Sequence, residues 1–139
     1  NNDNKPDAWS TNKKFTRSNE IVPHGESYVG KFFATNDSGA TINQHITNLT
    51  ATTYQFKAWV NIPPTNDAFT FRLRVRWRDV SGSTLRTDTI QTYSTHTNGT
   101  WQETAANLTA PVGTTSGLII MDASSLNLAI YVDDFLFSP

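Results

Sequence analysis

The sequence predicts an all-β chain, a two-sheet antiparallel β-sandwich or jelly roll, and three observations carry that prediction. The stretch 71–78, FRLRVRWR, alternates without a fault between apolar Phe71, Leu73, Val75 and Trp77 and basic Arg72, Arg74, Arg76 and Arg78. A period of two is a strand with one face in a core and the other facing out. Turn signals recur roughly every eight to twelve residues, the spacing of short antiparallel strands. No stretch has a 3.6-residue apolar period, and the abundant Thr and Asn favour strands and turns over helices, because Thr is β-branched and Asn competes with the helix backbone.

The elements follow in order. Asn1–Asp7 is a polar lead-in to Trp9, whose ring either plugs one end of the core or stands at the surface as an aromatic platform. Lys13–Arg17 is a short strand, Pro23-His24-Gly25 a turn and Ser27–Thr35 a strand, closed by the turn Asn36-Asp37-Ser38-Gly39. Ala40–Ile46 alternates again. Thr53–Ile62 sets Tyr54, Phe56, Ala58 and Val60 on one face and Gln55, Lys57, Trp59 and Asn61 on the other, so Trp59 falls on the polar face. Pro63-Pro64 ends it, since proline cannot donate to a ladder. After the Arg strand, Ser81-Gly82-Ser83 turns into Thr84–Tyr93, and Asn98-Gly99 is a hairpin-type turn into Thr100–Thr109. Gly117–Met121 is apolar on both faces and therefore central. Leu126–Phe137 closes the chain, with Ile130 and Val132 opposing Tyr131 and Asp133. Trp77 shares its face with Phe71, Leu73 and Val75 and reads as core, as does Trp101.

At 139 residues the chain is one domain, with room for two sheets around a single core. Lys+Arg 11 against Asp+Glu 12 gives a net charge of −1, so the total points to neither nucleic acid nor a membrane surface. No segment approaches the roughly 18 apolar residues of a membrane helix, and no signal peptide stands at Asn1. Cysteine is absent, which removes disulfides, thiolate metal sites and cysteine nucleophiles. Charge is nevertheless uneven: Arg72, Arg74, Arg76, Arg78 and Arg86 crowd one region while Asp122, Asp133 and Asp134 lie near the C-terminus. The four sequons, at Asn36, Asn48, Asn98 and Asn107, are expected by chance in so Asn- and Thr-rich a chain.

Taken in order, YQFKAWVNI, the Arg strand, GTWQETAANLTAP, GLII and IYVDDFLF resemble the β-jelly-roll carbohydrate-binding modules of families four, nine, sixteen and twenty-two. The resemblance covers about residues 5–138 and lies in the order and spacing of several segments. KPDAW is similar to the Pro-Asp-Gly-Trp stretch of family sixteen, with Ala8 in place of Gly. The Asn-Gly-x-Phe-Glu segment that opens that family's pattern has no counterpart here.

The resemblance implies a secreted, extracellular bacterial module. It would be non-catalytic and monomeric, excised from a larger enzyme whose catalytic domain it holds to a polysaccharide, with no nucleic-acid or membrane partner. It also implies a structural calcium ion, with Asp133, the first Asp of Tyr-Val-Asp-Asp, as a ligand. Calcium takes six to eight hard oxygens, which an Asp with loop carbonyls partly supplies. Without the opening segment's Glu, often part of that site, Asp133 and Asp134 could instead cap the strand or offset the Arg row. The family's stacking Trp maps to Trp9.

Lys57, Trp59, Arg72, Arg74 and Arg76, with Gln91 and Tyr93 on the next strand, are the other candidate binding residues, because a pyranose offers a C–H face to an aromatic ring and hydroxyls to directed donors. The Arg row favours an anionic polysaccharide, a sulfated galactan such as carrageenan or a uronate such as alginate, over a neutral β-glucan or mannan. A jelly-roll polysaccharide lyase and a cell-surface adhesion domain are the alternatives of other classes. Gln44-His45 resembles the Gln-x-His of alginate lyases, but adjacent strand residues point to opposite faces, and no paired carboxylates at glycosidase spacing are suggested.

Overall fold

A computed structural model describes residues 9–10, 14–25 and 27–139. The lead-in Asn1–Asp7, with most of the KPDAW stretch, lies outside the described residues. The described chain forms nine strands: β1 (Phe15–Ser18), β2 (Val29–Phe33), β3 (Ser38–Ile46), β4 (Thr53–Asn61), β5 (Thr70–Arg78), β6 (Thr84–Tyr93), β7 (Trp101–Thr109), β8 (Ser116–Leu126) and β9 (Ala129–Ser138). They pair antiparallel into a five-stranded sheet, β1-β2-β9-β4-β7, and a four-stranded sheet, β3-β8-β5-β6. The sandwich expected from alternation is therefore the fold, within one or two residues at most strand ends.

One core fills the space between the sheets. Phe32, Phe56 and Val60 from one sheet and Ile42, Phe71, Leu73, Trp77 and Met121 from the other are completely buried. Rings meet across the gap, with Phe32 and Phe71 centroids 5.9 Å apart and Tyr54 and Trp77 also at 5.9 Å. Each such large side chain contributes about 1.5–3 kcal/mol. Burying an indole also buries a donor, and Trp77 Nε1–H donates to Asp88 Oδ2 at 2.8 Å. Arg86 holds that carboxylate in place from its own strand at 2.9 Å. Burial raises the pKa of Asp88, yet the bonds from Arg86 and Trp77 outweigh it and leave the group below its ordinary value.

Strand β8 explains its own sequence. It lies between β3 and β5, and its inward residues Ile119, Met121 and Ala123 join the core. Leu118 and Ile120 point the other way yet are 8% and 2% exposed, so a central strand is covered on both faces. Gly117 is required by close approach, since a Cβ there would lie 2.8 Å from the Arg76 carbonyl oxygen.

Two expectations from the sequence are corrected. Trp101 is not core: it pairs with Asn61 on the outer face of the five-stranded sheet, because the inward residues of β7 are Thr104, Ala106 and Leu108. Gln91 and Tyr93 do not share the face of the Arg row. Leu73 pairs with Gln91 but Arg74 with Thr89, so Ile90 is the extra residue of a β-bulge, and the bulge moves the later odd-numbered residues to the other face. Tyr93 stands opposite Phe71 and is buried, its ring 6.1 Å from that of Phe71. Burial pushes its hydroxyl pKa up. Gln91 stands opposite inward-facing Leu73, on an edge strand that leaves it exposed.

Candidate functional site

The predicted site residues divide between the two outer faces of the sandwich. Lys57 and Trp59 point outward from the five-stranded sheet, with Glu103 and Ala105 beside them on β7 and Asp133 and Leu136 on β9. Tyr131 and Lys31 continue the face across β9 and β2. The connection between β1 and β2 runs over this surface as a strap. The His24 ring stacks on Trp59 at 3.8 Å and 18°. The Trp101 Nε1–H donates to the Val22 carbonyl at 3.0 Å, and the Trp101 ring meets His24 edge-on at 6.1 Å. Further along, Lys31 Nζ lies 2.6 Å from Glu20 Oε2, which also accepts the Tyr131 hydroxyl at 3.2 Å. The bond from Lys31 lowers the Glu20 pKa, while burial and then the Glu20 charge raise that of Tyr131.

Asp133 anchors the strap. Its Oδ2 accepts the backbone N–H groups of His24 and Gly25 at 3.0 and 3.1 Å, and its Oδ1 accepts the Asp134 N–H at 2.9 Å. Asp134 Oδ2 lies 2.6 Å from His24 Nδ1. Asp134 adopts a left-handed φ of 49° where the β4–β9 register shifts, and this places two adjacent carboxylates at the strap. Both line a cavity of about 270 Å³ with Trp9, Phe15, Arg17 and Tyr28. As a calcium site the pair is a partial donor set: among the described residues no three His, Asp or Glu side chains are arranged to hold a metal ion, so carbonyls and water would supply most of the six to eight oxygens the ion takes. Trp9 packs edge-on against Phe135 at 5.0 Å and Phe15 at 6.0 Å, the geometry of a plug more than of an open platform.

The arginines occupy the opposite side of the molecule. Arg72, Arg74, Arg76 and Arg78 face outward between Asp122, Ile120, Leu118 and Ser116 of β8 and Thr92, Thr89, Thr87 and Thr84 of β6. Thr41, Asn43 and His45 of β3 complete the surface. Asp122 pairs with Arg72 at 2.9 Å and with Arg74. Among the described residues, Arg76 and Arg78 make no ion pair. A ligand on Trp59 cannot touch this row, so sequence reasoning had merged two surfaces into one.

The sequence reading missed His24, Trp101, Glu103 and Asp122. Trp101 shares its parity with Glu103, Asn107 and Thr109, a polar set that signals the outer face, but nothing in the turn Pro23-His24-Gly25 says where its imidazole lands.

No family model matches the chain, and no curated protein matches it in sequence. Solved structures do match in fold. The C-terminal family 22 carbohydrate-binding module of Clostridium thermocellum Xyn10B superimposes with a TM-score of 0.71 at 15% identity, covering 95% of this chain and 85% of that one. A family 16 carbohydrate-binding module gives 0.64 at 14% identity, over 91% and 86%. The enzymatically active domain of bacteriophage CBA120 tailspike protein 4 gives 0.74 at 18% identity; the match covers 95% of this chain but only 19% of that protein, so the chain spans about a fifth of its length. The fold is the β-sandwich of carbohydrate-binding modules.

Proposed function

We propose that the protein is a non-catalytic carbohydrate-binding module that holds a polysaccharide-degrading enzyme to its substrate outside the cell, with the glycan lying on the outer face of the five-stranded sheet. The observation that carries this reading is Trp59: an aromatic ring at mid-strand, flanked by Lys57, Glu103 and Asp133, pairs a stacking surface with donors and acceptors for hydroxyls. Several structures of this fold are named as carbohydrate-binding modules, and one carries a family 22 module beside the catalytic module of a xylanase, which supports an appended enzyme. A lyase is disfavoured because Gln44 pairs with inward Ile119 while His45 pairs with outward Leu118, so the two cannot act on one substrate.

Charge does not select the ligand at Trp59, where Lys31 and Lys57 face Glu20, Glu103 and Asp133. A neutral β-glucan or mannan suits this face as well as an anionic polymer does. The preference for carrageenan or alginate rests on the arginines of the other sheet. Affinity electrophoresis of the parent and Trp59→Ala against κ-carrageenan, alginate, glucomannan and xylan tests the reading. Retention by at least one polymer that Trp59→Ala weakens is expected; equal retention of both proteins on every polymer removes the site.

Calcium at Asp133 is part of the proposal. Chelation is expected to lower the unfolding temperature, because a ligand bound only by the native state at a hundredfold excess over its Kd stabilises by about 2.7 kcal/mol. An identical melting curve in chelator counts against it.

A further inference from the structure

We infer that the outer face of the four-stranded sheet is a second binding surface, which takes a sulfated or carboxylated polysaccharide along Arg72, Arg74, Arg76 and Arg78, back to back with the Trp59 face. The inference rests on the carbohydrate-binding reading for the kind of polymer, and on its own observations for the site.

The first observation is charge. Among the described residues, four guanidinium groups share the face with one carboxylate, Asp122, which takes Arg72 and Arg74. In register on both sides of the row stand neutral side chains otherwise: Thr84, Thr87, Thr89 and Thr92 on β6, Ser116, Leu118 and Ile120 on β8. Beyond β8 lie Thr41, Asn43 and His45. Asp79, just past the end of β5, is occupied by its own turn, accepting from Ser81 and Ser83 at 2.7–3.0 Å. Like charges in one row repel, so Arg76 and Arg78 are the part of the surface that a ligand's anions would relieve.

The second observation is chemistry. All four cations are Arg, whose planar fork bonds two oxygens of a carboxylate or sulfate at once, whereas Lys acts as a point charge. Alternate residues of a strand are about 6.5–7 Å apart, so a linear polymer lying along β5 meets a guanidinium about once per sugar ring. Threonine hydroxyls flank the row on the β6 side, and on the β8 side Leu118 and Ile120 are buried beneath it. Hydroxyls beside a row of guanidinium groups give directed hydrogen bonding that suits the hydroxyl edges of sugar rings. A phosphodiester backbone needs only the charge.

The experiment uses the intact chain, Arg76→Gln/Arg78→Gln and Trp59→Ala, with κ-carrageenan, alginate, glucomannan and a DNA oligonucleotide as probes. The double variant spares both Asp122 ion pairs, and thermal unfolding checks its fold. The parent is expected to bind κ-carrageenan or alginate with an affinity that falls at least about tenfold as NaCl rises from about 0.02 to about 0.3 M. The double variant is expected to lose about tenfold at low salt and to flatten that dependence, while Trp59→Ala keeps it. The ratio of the two polymers tells sulfate from carboxylate recognition. Salt-indifferent retention, a double variant that binds like the parent, loss of polyanion binding in Trp59→Ala, or DNA bound as tightly as both polysaccharides at about 0.15 M would each overturn the inference. Salt-sensitive polyanion binding with no Trp59-dependent retention on any polymer would instead uphold this surface and remove the one at Trp59.

Discussion

The two outer faces of the sandwich obey the same strand parity and come out chemically opposed. On the five-stranded sheet, Trp59, Trp101 and Tyr131 sit among acids and bases in near balance, and the strap from Glu20 to Gly25 lies across them. On the four-stranded sheet the outward row is cationic, with one acid to answer it among the described residues. The aromatic face is satisfied from within the chain, by His24 on Trp59 and by backbone N–H groups on Asp133. Among the described residues the cationic face is half satisfied, at Arg72 and Arg74. A surface that leaves like charges unanswered points to a counter-charge from outside, whereas a surface already stacked on itself points to displacement.

Both faces stand on one core, and the largest expected effect tests that. Trp77 is completely buried behind the arginines and touches Tyr54 and Phe137 of the other sheet. Trp77→Ala should cost about 3–5 kcal/mol, a large share of the roughly 5–15 kcal/mol that holds a domain. Denaturant titration should show one earlier transition, with Trp59-dependent and salt-dependent binding lost together. Separate losses would mean that the sheets unfold independently.

Next in size is Asp88, which ties the cationic sheet's edge strand to that indole. Asp88→Ala leaves the Trp77 N–H without its acceptor, at about 1–3 kcal/mol. Because the native pKa lies below the ordinary 3.8, the carboxylate's contribution is present above that value and is lost as pH falls through the native pKa. The variant's melting temperature should therefore lie below the parent's at pH 7 and converge on it in acid below about pH 4. A gap that persists undiminished at low pH would show that the loss comes from packing and not from the ionised group.

How far these regions were legible follows from their range in sequence. Phe71–Arg78, the outward Trp59 and the buried Trp77 were readable because alternation within one strand fixes which residues share a face. The two-sided apolar run of β8 gave its central place for the same reason. Alternation does not say which sheet a strand joins, so it could not place Trp59 and Arg74 on opposite sides of the molecule. Nor does it register extra residues: the β5–β6 register shifts at Leu85 and again at Ile90, so the face of Thr87 and Thr89 is not that of Gln91 and Tyr93. The strap was illegible because Asp133 holds His24 across 109 positions of sequence, and no local pattern records such a contact.

Trp59→Ala separates the faces without touching the core. The side chain is half-buried on the outer surface, so the fold should keep its melting temperature within a few degrees, which for a chain of this size corresponds to about 1 kcal/mol. Retention on the best-bound polymer should fall about tenfold, the loss expected when one aromatic contact of about 1.4 kcal/mol is removed. Unfolding of this variant would make Trp59 a structural residue under the strap.

The smallest effect expected comes from His24. A sugar ring that stacks on Trp59 must take the place of the imidazole 3.8 Å above it, so the free protein binds only through the fraction of molecules in which the strap has lifted, and the apparent Kd is raised by that fraction. His24→Ala removes the competitor and the bond to Asp134, but keeps the backbone donors that tie residues 24 and 25 to Asp133. The strap should stay anchored while the ring is uncovered. A stacked pair of rings contributes about 0.5–1.5 kcal/mol, part of which solvent recovers, so glycan affinity should rise by about twofold to fivefold. Isothermal titration with the polymer found best in the electrophoresis panel would measure it. A fall in affinity would reverse the geometry: His24 would then be the surface on which the sugar stacks, with Trp59 as the support beneath it.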